Sequence, residues 1–205
     1  MNLNYGCGLS VGKGWYNCDA SPTLWLQRLP LGGALFRGIL KPVFPAKAHF
    51  GDVVRGLPLP ADSCDAIFCS HVLEHLSLED CRSALRNTYA YLKLKGLFRL
   101  IVPDFEQQVA TYLSTPGPAA VSEFLTYTHL GRKSRPRSLG AFLREYWGSG
   151  HHLWMWDYKG LAQELESAGF RGVRRCGLGD SANAAFAEVE SAERFEWSLG
   201  IEATK

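Results

Sequence analysis

The stretch that decides the fold runs from Ala66 to Pro103. It opens Ala66-Ile67-Phe68-Cys69-Ser70-His71-Val72-Leu73-Glu74-His75-Leu76, passes through Ser77-Leu78-Glu79-Asp80, and closes Gly96-Leu97-Phe98-Arg99-Leu100-Ile101-Val102-Pro103. Ala66 to Cys69 is a short continuous apolar run, as in a strand covered on both faces. Ser77 to Asp80 reads as a capping-box-like helix start. Cys81, Leu85, Thr88/Tyr89 and Leu92 then recur at three- and four-residue spacing on one face. Gly96 is the expected left-handed helix stop, and residues 97 to 102 form a second strand ended by Pro103. Strand, helix and strand make a parallel crossover unit. The fold class that follows is α/β, a Rossmann-like, seven-stranded, mostly parallel sheet with helices on both faces.

Working outward, three short strands precede this unit, the third of them ending at Asp52. Leu3-Asn4-Tyr5 leads into Gly6-Cys7-Gly8, and Trp15-Tyr16-Asn17-Cys18 leads into Asp19. Only ten residues separate Gly8 from Asp19, too few for the usual helical crossover, so the helix there is missing or reduced to a turn. Residues 23 to 44 are apolar with scattered Arg and Lys, helical in part and closed by Pro42 and Pro45; they read as core and not as a membrane-lying face. Downstream, helical spacing from Phe105 to Leu113, a Thr115-Pro116-Gly117-Pro118 break, further helix to Leu130 and a helical stretch from Leu139 to Trp147 make residues 104–157 a helical insertion after strand 5. Asp157 caps a helix ending at Ala168-Gly169-Phe170. Strands at about 171–176 and 198–203 complete the sheet of a single domain, 1–205.

The 205 residues suit one α/β core. Twenty-two Lys+Arg against 20 Asp+Glu leave a net charge of +2, which argues against a nucleic-acid partner. The six cysteines include no pair with the two-residue gap of a zinc ribbon or redox motif, so no metal site is expected. The N-terminus has no basic and apolar leader, and Leu29 to Phe36 falls far short of the ~20 apolar residues of a membrane span, so the expectation is a cytoplasmic protein without integral membrane association.

Three features fall at strand ends, where ligands lie in open α/β sheets. Gly6-Cys7-Gly8 lets backbone amides approach an anion. Asp19 can accept from two ribose hydroxyls. Asp52, with the Val53 amide beside it, can accept from an adenine amino group. A nicotinamide dinucleotide fits badly, because position 11, where G-x-G-x-x-G needs glycine, is Val11, and Asp19 comes thirteen residues after Gly6 instead of roughly twenty.

The ordered series Asn4-Tyr5-Gly6-Cys7-Gly8, Gly14-Trp15-Tyr16-Asn17-Cys18-Asp19, Leu57 to Asp65, His71-Val72-Leu73-Glu74-His75-Leu76, Val102-Pro103-Asp104, His152 to Asp157 and Ala168-Gly169-Phe170 resembles the class I S-adenosylmethionine-dependent methyltransferases, specifically small bacterial ones. The resemblance implies S-adenosylmethionine as cofactor. It implies that Tyr5, Gly6, Cys7 and Gly8 hold the methionine part, Asp19 the ribose, Asp52 and Val53 the adenine, and that Ser70 and His71 line the methyl end. The sequence departs from the broad superfamily at Asn4, where an acidic residue is common, and in the missing first helix.

Methyl transfer from a sulfonium needs alignment and exclusion of water, and a base only where the nucleophile arrives protonated. His71 and His152 are the candidate catalytic residues, with His151 a further histidine of the insertion. Glu74 and His75 read as supports of the helix start. The tryptophans at 147, 154 and 156, with Tyr146, form a roof over the acceptor or the insertion's own core. Arg132, Lys133, Arg135 and Arg137 read as a solvated loop or as contacts for a small anionic or sugar-linked acceptor. Two other readings stand beside methyl transfer: a cofactor-binding regulatory module without turnover and, more distantly, a nicotinamide-dependent oxidoreductase.

Overall fold

The structure is a computed structural model and describes residues 1–132, 134–138, 140 and 151–205. Seven strands make one sheet: β1 (Asn2–Tyr5), β2 (Trp15–Asp19), β3 (Ala48–Phe50), β4 (Cys64–Ser70), β5 (Leu92–Pro103), β6 (Arg171–Cys176) and β7 (Ser198–Thr204), in the order β3-β2-β1-β4-β5-β7-β6. The first five pair in parallel, and β7 runs antiparallel between β5 and β6. Chain order reverses between β1 and β4, and a ligand crevice is expected beyond the strand ends at such a point. Register aligns those ends: Tyr5 sits opposite Cys18 and Cys69, Asp19 opposite Phe50, and Ser70 opposite Ile101.

The continuous apolar run of β4 is explained by burial on both faces. Cys64, Ile67 and Cys69 join the larger core, while Ala66 and Phe68 join a second cluster with Trp15, Ile101 and Phe186. The larger core is covered by α3 (Leu78–Tyr91) and, with β6, by α6 (Tyr158–Ser167). Ser77 caps α3, its hydroxyl accepting from the Asp80 amide at 3.2 Å, and Cys81, Ala84, Leu85, Thr88 and Tyr91 form the buried face. Asp157 caps α6 in the same way through the Gly160 amide. The opposite face is covered by a 3₁₀ turn at Ala184–Glu188, with the short α7 (Ala192–Phe195) following.

Two expectations change and a third narrows. The first long helix does not run to Gly96: it ends at Tyr91, β5 begins at once, and Gly96 lies inside the strand. Lys95 at φ +65° takes the left-handed conformation there, within a register shift against β4. A Cβ on Gly96 would come within 2.8 Å of Leu92 Cγ and of the Lys93 carbonyl, so the glycine permits a bulge and not a helix stop. The second change concerns residues 23 to 44. They form α1 (Pro22–Gln27) and α2 (Gly33–Ile39), but only Leu24, Gln27, Gly33 and Phe44 are buried; Trp25, Leu31, Leu35, Ile39 and Val43 are exposed. This pair of helices is too short to carry its apolar residues inward on one stripe. Third, of Trp154 and Trp156 only Trp156 packs in the core, one of the two readings for these tryptophans, while Trp154 is exposed.

No helix joins β1 to β2, as expected. Residues 6 to 14 form a loop held by buried asparagines. Asn17 Nδ2 donates to the Gly12 and Trp15 carbonyls, and its Oδ1 accepts from the Gly12 amide and from Asn4 Nδ2. Asn4 Nδ2 also reaches the Ser10 carbonyl. The insertion supplies α4 (Phe105–Ser114), capped by Asp104, and α5 (Ala120–Tyr127). Lys133 and the expected helix over 139–147, with Tyr146 and Trp147, lie outside the described residues apart from 140. Among the described residues no helix is long and apolar enough to cross a membrane.

Candidate active site

The glycine loop turns sharply past β1. Gly6 and Gly8 have φ of +64° and +52°, a left-handed conformation that glycine adopts without a Cβ penalty. Gly6 is covered, since a Cβ there would stand 2.0 Å from Val72 Cγ2, whereas Gly8 faces open space. A ligand can therefore approach the backbone at Gly8 closely, and Val72 fixes the loop from behind. The Gly8 amide donates to Asp19 Oδ2 at 2.9 Å and the Ser21 amide to Asp19 Oδ1 at 2.8 Å. Each carboxylate oxygen keeps a further lone pair, enough for a vicinal diol.

Asp52 lies two residues past β3. Its Oδ1 accepts from the Val54 amide at 2.9 Å, and Arg55 approaches Oδ2 at 3.4 Å. Asn87 of α3 holds this turn through the Val53 and Val54 carbonyls. The Val53 side chain is core, so any contact it makes with a ligand is through its backbone. The same applies to Tyr5: its ring is buried against Phe98 and its hydroxyl meets Thr88 of α3. The Cys7 thiol is no nucleophile, because burial, with the Asp19 charge adding, pushes its pKa up to about 12. Ser70 ends β4 with its hydroxyl buried and without a hydrogen-bond partner among the described residues. Open backbone at Gly8, spare carboxylate lone pairs at Asp19 and Asp52 and an orphaned hydroxyl at Ser70 fit an adenosine with a charged tail.

Beyond β4 and β5 the character changes. His71 has φ +54°, a left-handed conformation rare outside glycine. Its Nε2 lies 3.2 Å from the Arg194 carbonyl, and its Nδ1 lies 3.2 Å from Glu74 Oε1. Glu74 is only 1% exposed, and neither carboxylate oxygen has a hydrogen-bond partner among the described residues. Its main-chain carbonyl accepts from the Leu153 and Trp154 amides, which draws the 151–156 segment over the turn. That brings His152 beside His75, ring centroids 4.9 Å apart, and beside His129 at 5.0 Å. Burial lowers the His152 pKa to about 4; Glu74 pulls the other way and His75 and His129 oppose it, so the ring is neutral at physiological pH.

These groups line a cavity of about 430 Å³ that also takes in Gln108, Tyr127 and Trp197. The same three residues line a neighbouring, mainly apolar cavity of about 380 Å³, built from α4 and α5 with Tyr112 and Phe124. The family resemblance of the sequence brings out His71 and His152. It does not bring out Glu74, whose burial comes from the return segment, or the aromatic cavity, whose walls are assembled from three separate parts of the chain.

The seven-stranded sheet, in the order 3-2-1-4-5-7-6 with β7 antiparallel, is similar in fold to solved SAM-dependent methyltransferases. Residues 41–100 match a family model described as a methyltransferase domain. The match covers 60 of the 205 residues, and the fold as a whole is shared with solved SAM-dependent methyltransferases. A SAM-dependent methyltransferase from Archaeoglobus fulgidus is similar over 100% of this chain and 85% of its own, with 16% identity and a TM-score of 0.50. A possible histamine N-methyltransferase from Thermotoga maritima is similar over 100% and 82%, with 16% identity and a TM-score of 0.50. PigF with SAH gives 17% identity and a TM-score of 0.50, this chain spanning 49% of it. Among curated proteins no sequence matches the chain.

Proposed function

We propose that the protein transfers a methyl group from S-adenosylmethionine to a small-molecule or carbohydrate-type acceptor. The observation that carries this reading is positional. The glycine loop and Asp19 stand level at the ends of β1 and β2, and a cavity of small-molecule size opens just beyond β4 and β5. Gly6, Cys7 and Gly8 with the Tyr5 backbone hold the methionine part, Asp19 the ribose, Asp52 and the Val53 backbone the adenine, and Ser70 and His71 the methyl end. When bound, the cofactor supplies a methyl already activated by its sulfonium.

What remains for the chain is to place the acceptor and keep water out. Tyr112, Phe124, Tyr127 and Trp197 offer faces on which a sugar or an aromatic ring can stack. Arg135 and Arg137 are exposed and suit an anionic acceptor by charge. Where the acceptor arrives protonated, His71 is placed to take the proton, with Glu74 close enough to stabilise the imidazolium. His152, weakly basic as a buried neutral ring, is suited to orienting the acceptor.

Isothermal titration with S-adenosylhomocysteine tests the cofactor half. Saturable binding by the native protein is expected, with a loss of roughly 10-fold or more in Asp19→Ala, since bonds to a charged group contribute about 1.5–3 kcal/mol. No binding to the native protein ends the reading. Binding without methylated product from any sugar, phenol or amine in an acceptor panel would instead make the chain a regulatory cofactor-binding module.

A further inference from the structure

The Glu74 carboxylate poses a problem that the cofactor site leaves unsolved. It is a charged group almost wholly out of water, with both oxygens unpartnered among the described residues. Burying such a group costs heavily unless a cation meets it. The groups around it are histidines whose outer nitrogens are already engaged. His75 Nδ1 lies 3.1 Å from the His151 carbonyl, which can only accept, so this nitrogen carries the proton and Nε2 presents a lone pair. That Nε2 lies 4.0 Å from Glu74 Oε1. His152 has a hydrogen bond to the Thr128 backbone, while its buried Nδ1 has no partner among the described residues. By the same reasoning His71 donates through Nε2 to the Arg194 carbonyl and turns Nδ1 toward Glu74.

Lone pairs thus converge on a carboxylate with nothing between them. Second-sphere carbonyls that fix the tautomer and aim of each imidazole are what metal-binding histidines have. One ligand atom from each of Glu74, His75 and His152 can be chosen so that all lie within 4.8 Å of one another. Bonds of about 2.0–2.2 Å to a first-row ion bring tetrahedral ligands to about 3.3–3.6 Å, a contraction reachable by side-chain rotation.

We propose that Glu74, His75 and His152 form a binding site for a divalent transition-metal ion, with His71 adjacent and the ion's remaining positions facing the 430 Å³ cavity. Two imidazoles and one carboxylate favour zinc, cobalt, nickel or iron over magnesium or calcium, which prefer all-oxygen sets. An ion there would stand where an acceptor's oxygen or nitrogen enters and would lower the pKa of a bound hydroxyl. The proposal does not depend on methyl transfer, and its test reads metal and not turnover.

The test titrates Co²⁺ into the metal-free full chain and follows visible d–d absorption. One equivalent bound, with bands abolished by Zn²⁺ and unaffected by Mg²⁺, is expected, together with a raised thermal midpoint. Glu74→Gln, His75→Gln and His152→Gln should each weaken Co²⁺ binding by 10-fold or more, while His49→Gln, on β3, should leave it unchanged. Circular dichroism checks that each variant is folded; should Glu74→Gln fail to fold, the two histidine variants decide. No saturable uptake by the native protein, or uptake that survives both His75→Gln and His152→Gln, overturns the proposal.

Discussion

Gly6 shows how much one absent side chain holds in place. Its φ of +64° and the 2.0 Å approach of a would-be Cβ to Val72 Cγ2 are independent penalties. Gly6→Ala is expected to destabilise the fold by about 1–3 kcal/mol. Adding Val72→Ala should recover the steric share and leave the backbone share, a difference that urea unfolding of the single and double variants will measure. The glycines and Asp19 were readable because each sits where a strand pattern breaks, and a break in period is visible in a linear sequence. Glu74 was not readable. In Val72-Leu73-Glu74-His75 it resembles any solvated carboxylate before a helix. Its isolation is created by Leu153 and Trp154, whose amides take its carbonyl from nearly eighty positions away.

At the scale of elements, the loop between β1 and β2 does without the helix that normally braces such a turn. Asn17 takes over that task, with four hydrogen bonds at 2.8–3.0 Å in a fully buried position. Asn17→Ala removes them and strands the Gly12 amide and carbonyl. It is expected to cost about 2–4 kcal/mol and to weaken S-adenosylhomocysteine binding by loosening Gly8, which denaturant melts and calorimetry would register together. The short β1–β2 connection was legible by counting residues; the asparagine clamp was not, because Asn4 and Asn17 look like ordinary strand polar positions. The helix end expected at Gly96 failed for a related reason. Glycine signals a left-handed need without saying whether a helix or a bulged strand has it, and here the left-handed residue is Lys95.

Across the whole molecule, β5, β6 and β7 are locked by one buried cation. Arg99 is 1% exposed and bonds to Glu190, Asp180 and Glu202 at 2.7–2.9 Å. Burial alone would raise the Glu202 carboxyl, but Ser181, Arg99 and Arg174 outweigh it and hold it below the usual range; Asp180 is likewise held below its usual range against its own desolvation, by Arg174, the Gly177 amide and Arg99. Folded pKa values below unfolded ones mean stability that is complete above an unfolded carboxyl's ~4 and is lost as pH falls past it. The unfolding midpoint should hold steady from neutrality to about pH 5 and fall below about pH 4. Glu202→Gln should start lower and fall less steeply. The antiparallel course of β7 has another consequence. β1 starts at the sheet edge opposite the active site, and β7, reversed, finishes there too. Met1 is anchored to Ser63 and Asp65, and Lys205 to Asp62 and Gly96. Anything fused to either terminus therefore leaves from the back of the molecule, so a reporter or surface tether can be attached at both ends with the entrance to the cavity unobstructed.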